Sequence, residues 1–232
     1  MRRIFLFTLS IVLLAGLVPA RGSDVLDRII AIVNNTPVLL SDWDEAWRCE
    51  ALLAGRAPDS YSKAEQQEVF SRLVDQELIR EQMKGYLLSP VSAADLESRI
   101  KDVRSQLAGA SDAQWKTTLQ RVGITEEQLS AHLQKQIELE QFVDMRFRAG
   151  IRIDDRSISH YYRNEFLPKL QQAGGKPVPL EEVSGKIREI LTQQRMEEQL
   201  NGWIQTLREQ ADIRIPPAIE QDRHEIVITG SK

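Results

Sequence analysis

The stretch from Leu180 to Leu207 carries Val183, Ile187, Ile190 or Leu191, Leu200, Trp203 or Ile204, and Leu207 at three- and four-residue steps. That spacing predicts a long amphipathic helix, and its apolar stripe cannot be left in water. A helix at the far end of a chain must therefore find a surface made much earlier. The head of the sequence offers one. Val25 to Val33 is rich in β-branched residues, Asn34-Asn35-Thr36-Pro37 supplies turn chemistry, and Val38-Leu39-Leu40 resumes an extended run. This predicts a β-hairpin with open edges. Asp212 to Ile215 reads as a brief strand that could pair with it, ended by Pro216-Pro217. Head and tail are thus expected to share one core and one small sheet.

Between them the pattern is helical. Ser41 is placed as the N-cap of a helix that runs to about Gly55, with Asp42, Asp44 and Glu45 over the exposed amides of its first turn. Val69, Phe70, Leu73, Val74, Leu78 and Ile79 give one apolar face to a helix over 64–84, which Gly85 is expected to close in a left-handed conformation. Ser92 caps a helix with the stripe Leu96, Ile100, Val103 and Leu107, ended by Gly109. Ser111 starts a short helix through Trp115, Leu119 and Val122 to Gly123, and Thr125 with Gln128 forms a capping box for a long one carrying Leu129, Leu133, Ile137, Phe142 or Val143, and Phe147. After Gly150, Ile151-Arg152-Ile153 reads as a short β-like run. Asp154 or Asp155 then caps a helix through Ile158, Tyr161, Tyr162 and Phe166, before Gly174-Gly175-Lys176-Pro177 breaks the chain. The fold class is therefore mainly α, an orthogonal helical domain with a small hairpin sheet, completed by a long C-terminal helix and strand. The expected divisions are residues 1–20 as a leader, 21–150 as the helical domain, 151–179 as a helix and short linker, 180–215 as the returning helix and strand, and 216–232 as a flexible tail.

The leader is expected from Arg2 and Arg3 followed by an apolar run from Ile4 to Val18 and then Pro19 and Ala20. This is signal-peptide chemistry, and the run is short for a bilayer span, which needs about 20 apolar residues. The reading is export to the periplasm with cleavage, retention as an anchor being the alternative. Loss of Arg2 and Arg3 takes the formal charge from −4 to about −6. With 30 basic and 34 acidic residues interspersed along helical stretches, nucleic acid is not an expected partner. The single cysteine, Cys49, cannot form an internal disulfide and reads as packed.

No catalytic constellation emerges. Ser184-Gly185-Lys186 lacks the glycine five positions before Gly185 and the hydroxyl residue after Lys186 that a phosphate-binding loop needs, so ATP use is not expected. His132, His160 and His224 lie far apart and none has a ligating neighbour at helical spacing, so no metal is expected. The carboxylates at 42, 44 and 45 and at 126 and 127 are explained by first-turn dipoles. No cofactor is implied. Most aromatic residues read as core, with a minority able to line a groove.

The segment from Asp27 to Asp42, DRIIAIVNNTPVLLSD, resembles the opening of SurA-like periplasmic chaperones: an apolar strand, "VN", a turn, then "S-D" starting a helix. The resemblance continues through Leu73-Val74-Asp75-Gln76-Glu77-Leu78-Ile79, Val91-Ser92, Ile151 to Asp155, the Tyr161-Tyr162 pair, and Trp203 to Arg208 with Ile213 and Ile215 following. Members of that family insert one or two parvulin-type prolyl isomerase domains between the Tyr-Tyr helix and the C-terminal helix. Here the interval from Arg163 to Val178 is 16 residues, and nothing below about 40 residues normally folds without staples. The isomerase activity is therefore not carried over and the protein is not expected to be an enzyme. What the resemblance implies is an ATP-independent holdase for unfolded envelope or outer-membrane proteins, gripping them in an apolar groove. Trp43, Trp47, Tyr161 and Tyr162 are the candidate client-binding residues. The alternatives are an assembly subunit docking one specific envelope partner and, less favoured, a prolyl isomerase acting through an unrecognised site.

Overall fold

The structure is a computed structural model that describes residues 27–108 and 111–216. The expectations for the leader, for Val25, for Gly109 as a helix end and for the tail beyond Pro216 lie outside the described residues.

Strand β1 (Ile29–Val33) and strand β2 (Thr36–Leu39) form the antiparallel hairpin. The turn places Asn34 at φ 53, a left-handed conformation that asparagine tolerates. Five helices follow: α1 (Leu40–Leu53), α2 (Lys63–Met83), α3 (Ala93–Ala108), α4 (Asp112–Val122) and α5 (Glu126–Phe147). Then come α6 (Asp155–Tyr161), a wide π-helical turn (Tyr162–Phe166), α7 (Leu167–Gln172), the returning helix α8 (Leu180–Gln210) and strand β3 (Ile213–Arg214). Strand β3 pairs antiparallel with β1, Val33 opposite Ile213 and Ile32 opposite Arg214, so the sheet order is β2-β1-β3. The head hairpin and the tail strand do form one sheet.

Three apolar clusters organise the helices. The first joins Ile30, Ala31, Val33 and Val38 of the sheet to Phe70, Val74, Leu78 and Ile79 of α2, Phe142 of α5 and Leu207 of α8. The second gathers Cys49 and Leu52 of α1, Val103 of α3, Trp115, Leu119 and Val122 of α4, and Leu129 and Leu133 of α5. The third, smaller, holds Ile158 and Tyr161 of α6 against Val183 and Ile187 of α8. At 1.5 Å rise per residue, the 31 residues of α8 reach about 46 Å, long enough to serve the first and third clusters from its two ends. Leu191 packs on the third cluster while Ile190 is exposed, which resolves the choice the periodicity left open.

Polar contacts lock the return. Arg208 near the end of α8 pairs with Asp75 of α2 and donates to Ser71 Oγ at 2.6 Å and to the Ser71 carbonyl at 3.1 Å. Asn34 receives the Asp212 amide on its side-chain oxygen at 3.0 Å, and its own amide donates to the Asp212 carbonyl at 2.8 Å.

Ser62, Ser111, Thr125 and Asp154 each accept an amide hydrogen bond three residues on, which fixes the starts of α2, α4, α5 and α6. Gly123 ends α4 at φ 79, a left-handed conformation that favours glycine; a Cβ there would also displace the movable end of Arg48, whose guanidinium lies 2.7 Å from that position.

Four local expectations are corrected. Ser41 does not cap α1. The helix begins at Leu40, whose amide donates to the Arg28 carbonyl at 2.8 Å; the Leu39 amide donates to Asp42, and the Ser41 hydroxyl turns to the Asp27 carboxylate. Gly85 is not left-handed: the end of α2 is closed by the Tyr86 amide donating to the Met83 carbonyl at 2.9 Å. Residues Ile151 to Ile153 form no strand; Ile153 packs on the third cluster instead. The helix expected to pass continuously through Phe166 instead widens to π geometry. Pro168 lacks an amide hydrogen and its ring crowds the carbonyl four residues earlier, and a widened turn relieves both.

Candidate functional site

Phe142 of α5 is fully buried, and an aromatic array grows outward from it. Tyr86 meets its ring edge-on at 5.2 Å, and Trp203 of α8 lies 6.0 Å away. Phe147, at the end of α5, contacts Trp203 edge-on at 5.7 Å. Arg146 spans the outer face: its guanidinium lies 4.4 Å from the Trp203 ring centre and 5.5 Å from that of Phe147, and it donates to the Tyr86 hydroxyl at 3.0 Å. Three elements distant in sequence thus converge there: the loop after α2, the last turns of α5 and the C-terminal half of α8.

This array is where the apolar interior reaches water. Tyr86 and Met145 are each 44% exposed and Leu87 is entirely so. Met145 and Arg146 lie three and four residues beyond Phe142, on the same helix face one turn on. The loop geometry follows from sequence. Past Met83 the chain leaves α2, and the run Tyr86-Leu87-Leu88 precedes Ser89-Pro90; Leu88 turns in to the first cluster while Leu87 turns out.

A second concavity of about 230 Å³ sits between β2, α1, α2 and α5. It is polar. Glu77 is buried and paired with Arg80, and His132 lies 3.1 Å from Gln136 across one helical turn. Burial holds the His132 imidazole below its ordinary value, so at neutral pH it is uncharged. The Cys49 thiol is pushed up to about 12 by burial and by the Glu45 carboxylate, which leaves it protonated and unreactive. Among the described residues no group of His, Cys, Asp and Glu is arranged to hold a metal ion, and no helix is long and apolar enough to cross a membrane. Along this cleft the outer strand β2 is also blunted: Pro37 has no amide to donate, and the Leu39 amide is taken by Asp42.

The four aromatics expected from sequence fall into separate settings. Trp43 is half-buried, edge-on to Phe70 at 5.9 Å, and donates its indole hydrogen to the Gln66 carbonyl at 2.8 Å. Trp47 is half-buried beside Tyr61 at 6.3 Å. Tyr161 is buried in the third cluster, and the half-buried Tyr162 stacks on Phe166 and donates to the Val178 carbonyl at 2.7 Å. The structure does not bring the two pairs together. Tyr86, Leu87, Met145 and Arg146 escaped sequence reasoning. The legible signal was three consecutive apolar residues in a segment that no helix could bury.

A family model described as the SurA-like N-terminal domain matches residues 2–143. No curated protein matches the chain. The match covers more than half of the chain, and the chain belongs to that family, whose domain is of periplasmic chaperone type. It ends just short of Met145, so half of the aromatic array and all of α8 lie beyond it.

Proposed function

We propose that this member of the SurA-like family is an ATP-independent periplasmic holdase that grips unfolded envelope proteins, outer-membrane proteins among them, on the surface formed by Tyr86, Leu87, Met145, Phe147 and Trp203. The observation that supports the reading is the buried Phe142 ring leading outward through Tyr86 and Trp203, with Arg146 laid over the rings and the exposed Leu87 and Met145 next in the chain to Tyr86 and Arg146. Methionine and rotatable leucine adapt to varied side chains, and ring faces accept apolar groups of any sequence. Such a surface suits many ligands rather than one.

Magnitudes set its required size. A micromolar complex needs about 8 kcal/mol, and apolar burial returns roughly 25 cal/mol per Å² before the costs of ordering both partners. Leu87 alone falls far short, so the whole array must engage. Trp43, Trp47 and Tyr162, each half-buried, are proposed as secondary contacts along an extended client, with Tyr161 supporting them from inside. Residues 1–20 are proposed to direct export.

The test is the aggregation of a denatured porin with and without the protein. Stoichiometric protein should suppress aggregation, and Leu87→Asp should weaken client binding about tenfold or more, since one fully buried leucine is worth roughly 1.5–3 kcal/mol. Because Leu87 touches solvent on all sides, its substitution leaves the fold intact. Unchanged aggregation with the wild-type protein would defeat the reading, and capture of one folded stoichiometric partner without client protection would replace it with a dedicated assembly role.

A further inference from the structure

Arg146 is an exposed guanidinium with a hydroxyl and two aromatic rings for neighbours and, among the described residues, no carboxylate partner. Leu87, next in the chain to the Tyr86 that Arg146 bonds, and Met145, next to Arg146 itself, are both exposed. A ligand that satisfies this arrangement must present a carboxylate next to apolar side chains. The chain carries such a segment itself. Residues 217–232 lie beyond the described residues and contain Glu225-Ile226-Val227-Ile228, an acid followed by three β-branched apolar residues.

The tail also departs from the right place. Ile215 packs on the first cluster, the same cluster that receives Leu88, Phe142 and Trp203. From Pro216 to Ile226 is ten residues, which extended backbone turns into as much as about 33 Å. The segment carries three acids, Glu220, Asp222 and Glu225, against two formal cations, Arg223 and Lys232, so its net charge is opposite to that of the Arg146 guanidinium. In extended conformation Ile226 and Ile228 point to one side.

We infer that the segment Glu225–Ile228 docks in cis on this surface, its Glu225 carboxylate on the Arg146 guanidinium and its isoleucines over Leu87 and Met145. The tail then shields the apolar array when the protein is idle. The docking stands on its own. Its consequence, that an unfolded client must displace the tail before it is held, rests on the holdase reading.

Amide hydrogen exchange on the purified full chain tests this, with a synthetic peptide of residues 217–232 as the unprotected reference. The amides of residues 225–228 should exchange at least about tenfold more slowly in the protein than in the peptide. Arg146→Glu should abolish that protection, Leu87→Asp should reduce it, and Arg146→Glu combined with Glu225→Arg should restore it. Both altered side chains on the folded part are exposed, and circular dichroism verifies that the fold persists. Exchange at the peptide's rate in the wild-type protein would overturn the inference, as would protection indifferent to Arg146→Glu and Leu87→Asp. Protection that rises with protein concentration would assign the surface to a second copy and overturn docking in cis. Adding denatured porin should release the protection; protection that persists while the protein also fails to suppress aggregation would sink the holdase reading and leave the docking standing.

Discussion

The two larger apolar clusters are built from similar residues and behave differently at their margins. The one formed by α1, α3, α4 and the first half of α5 is sealed. Trp115 is almost fully buried, its indole donates to Glu126 at 2.9 Å, and none of the exposed large apolar side chains belongs to α3 or α4. The one formed by the sheet, α2, the second half of α5 and α8 runs out into Tyr86, Leu87 and Met145. The sealed cluster joins elements between Cys49 and Leu133, whereas the open one joins Ile30 to Leu207. The difference teaches that the exposed surface proposed for client binding depends on closure between distant parts of the chain, while the sealed cluster is assembled from neighbouring helices.

Truncating the centre of each cluster is the strongest way to break that comparison. Phe142→Ala and Trp115→Ala should each cost about 3–5 kcal/mol in urea unfolding. Only Phe142→Ala should also abolish porin protection under conditions where both variants remain folded. Equal loss of protection in the two would mean that the sealed cluster contributes to client contact directly.

Arg208→Ala should cost less, about 1–2 kcal/mol, because the ion pair with Asp75 is partly exposed and its worth lies chiefly in the hydrogen bonds to Ser71. Its signature is regional: hydrogen exchange should quicken in β3 and the last turns of α8 and stay unchanged in α3 and α4. Thr125→Ala, which removes the cap of α5, should cost about 1 kcal/mol and loosen α4 and the start of α5 instead.

The smallest effect is electrostatic. The Arg56 guanidinium, with the Ser62 amide and hydroxyl, holds the Glu65 carboxyl at about 2 against an ordinary 4.5. A carboxyl depressed on folding contributes stability that is fully present above pH 4.5 and is lost as pH falls toward 2. Thermal melts over that window should therefore fall less steeply for Glu65→Gln than for the wild type.

How much of this was legible before the structure depends on whether the deciding contacts are local. Ser111, Thr125 with Gln128, and Gly123 mark α4 and α5 through hydrogen bonds within four residues, and all three act as the sequence indicates. The return of α8 was legible because a stripe from Val183 to Leu207 demands a partner, and Ile213 and Arg214 indeed complete the sheet. Ser41 misled because the first turn of α1 is set by Arg28 and Asp27, which the hairpin brings alongside. The π turn at Tyr162 depends on how a chain accommodates Pro168, which periodicity does not register. Exposure was the least legible. Leu87 and Leu88 are identical in chemistry and adjacent in sequence, yet one is in water and the other in the core, and only the path of the loop over α5 decides which.

The pairing of β1 with β3 has a consequence for biogenesis. Asn34 and the Arg214 beside it are 180 residues apart, so one edge of β1, the first described strand, stays unpaired until nearly the whole described chain has been delivered. Closing so large a loop raises the entropic barrier only logarithmically, yet it must be crossed before the contacts it brings can repay it, which slows folding. Until then β1 presents the kind of bare strand edge that other chains can pair with.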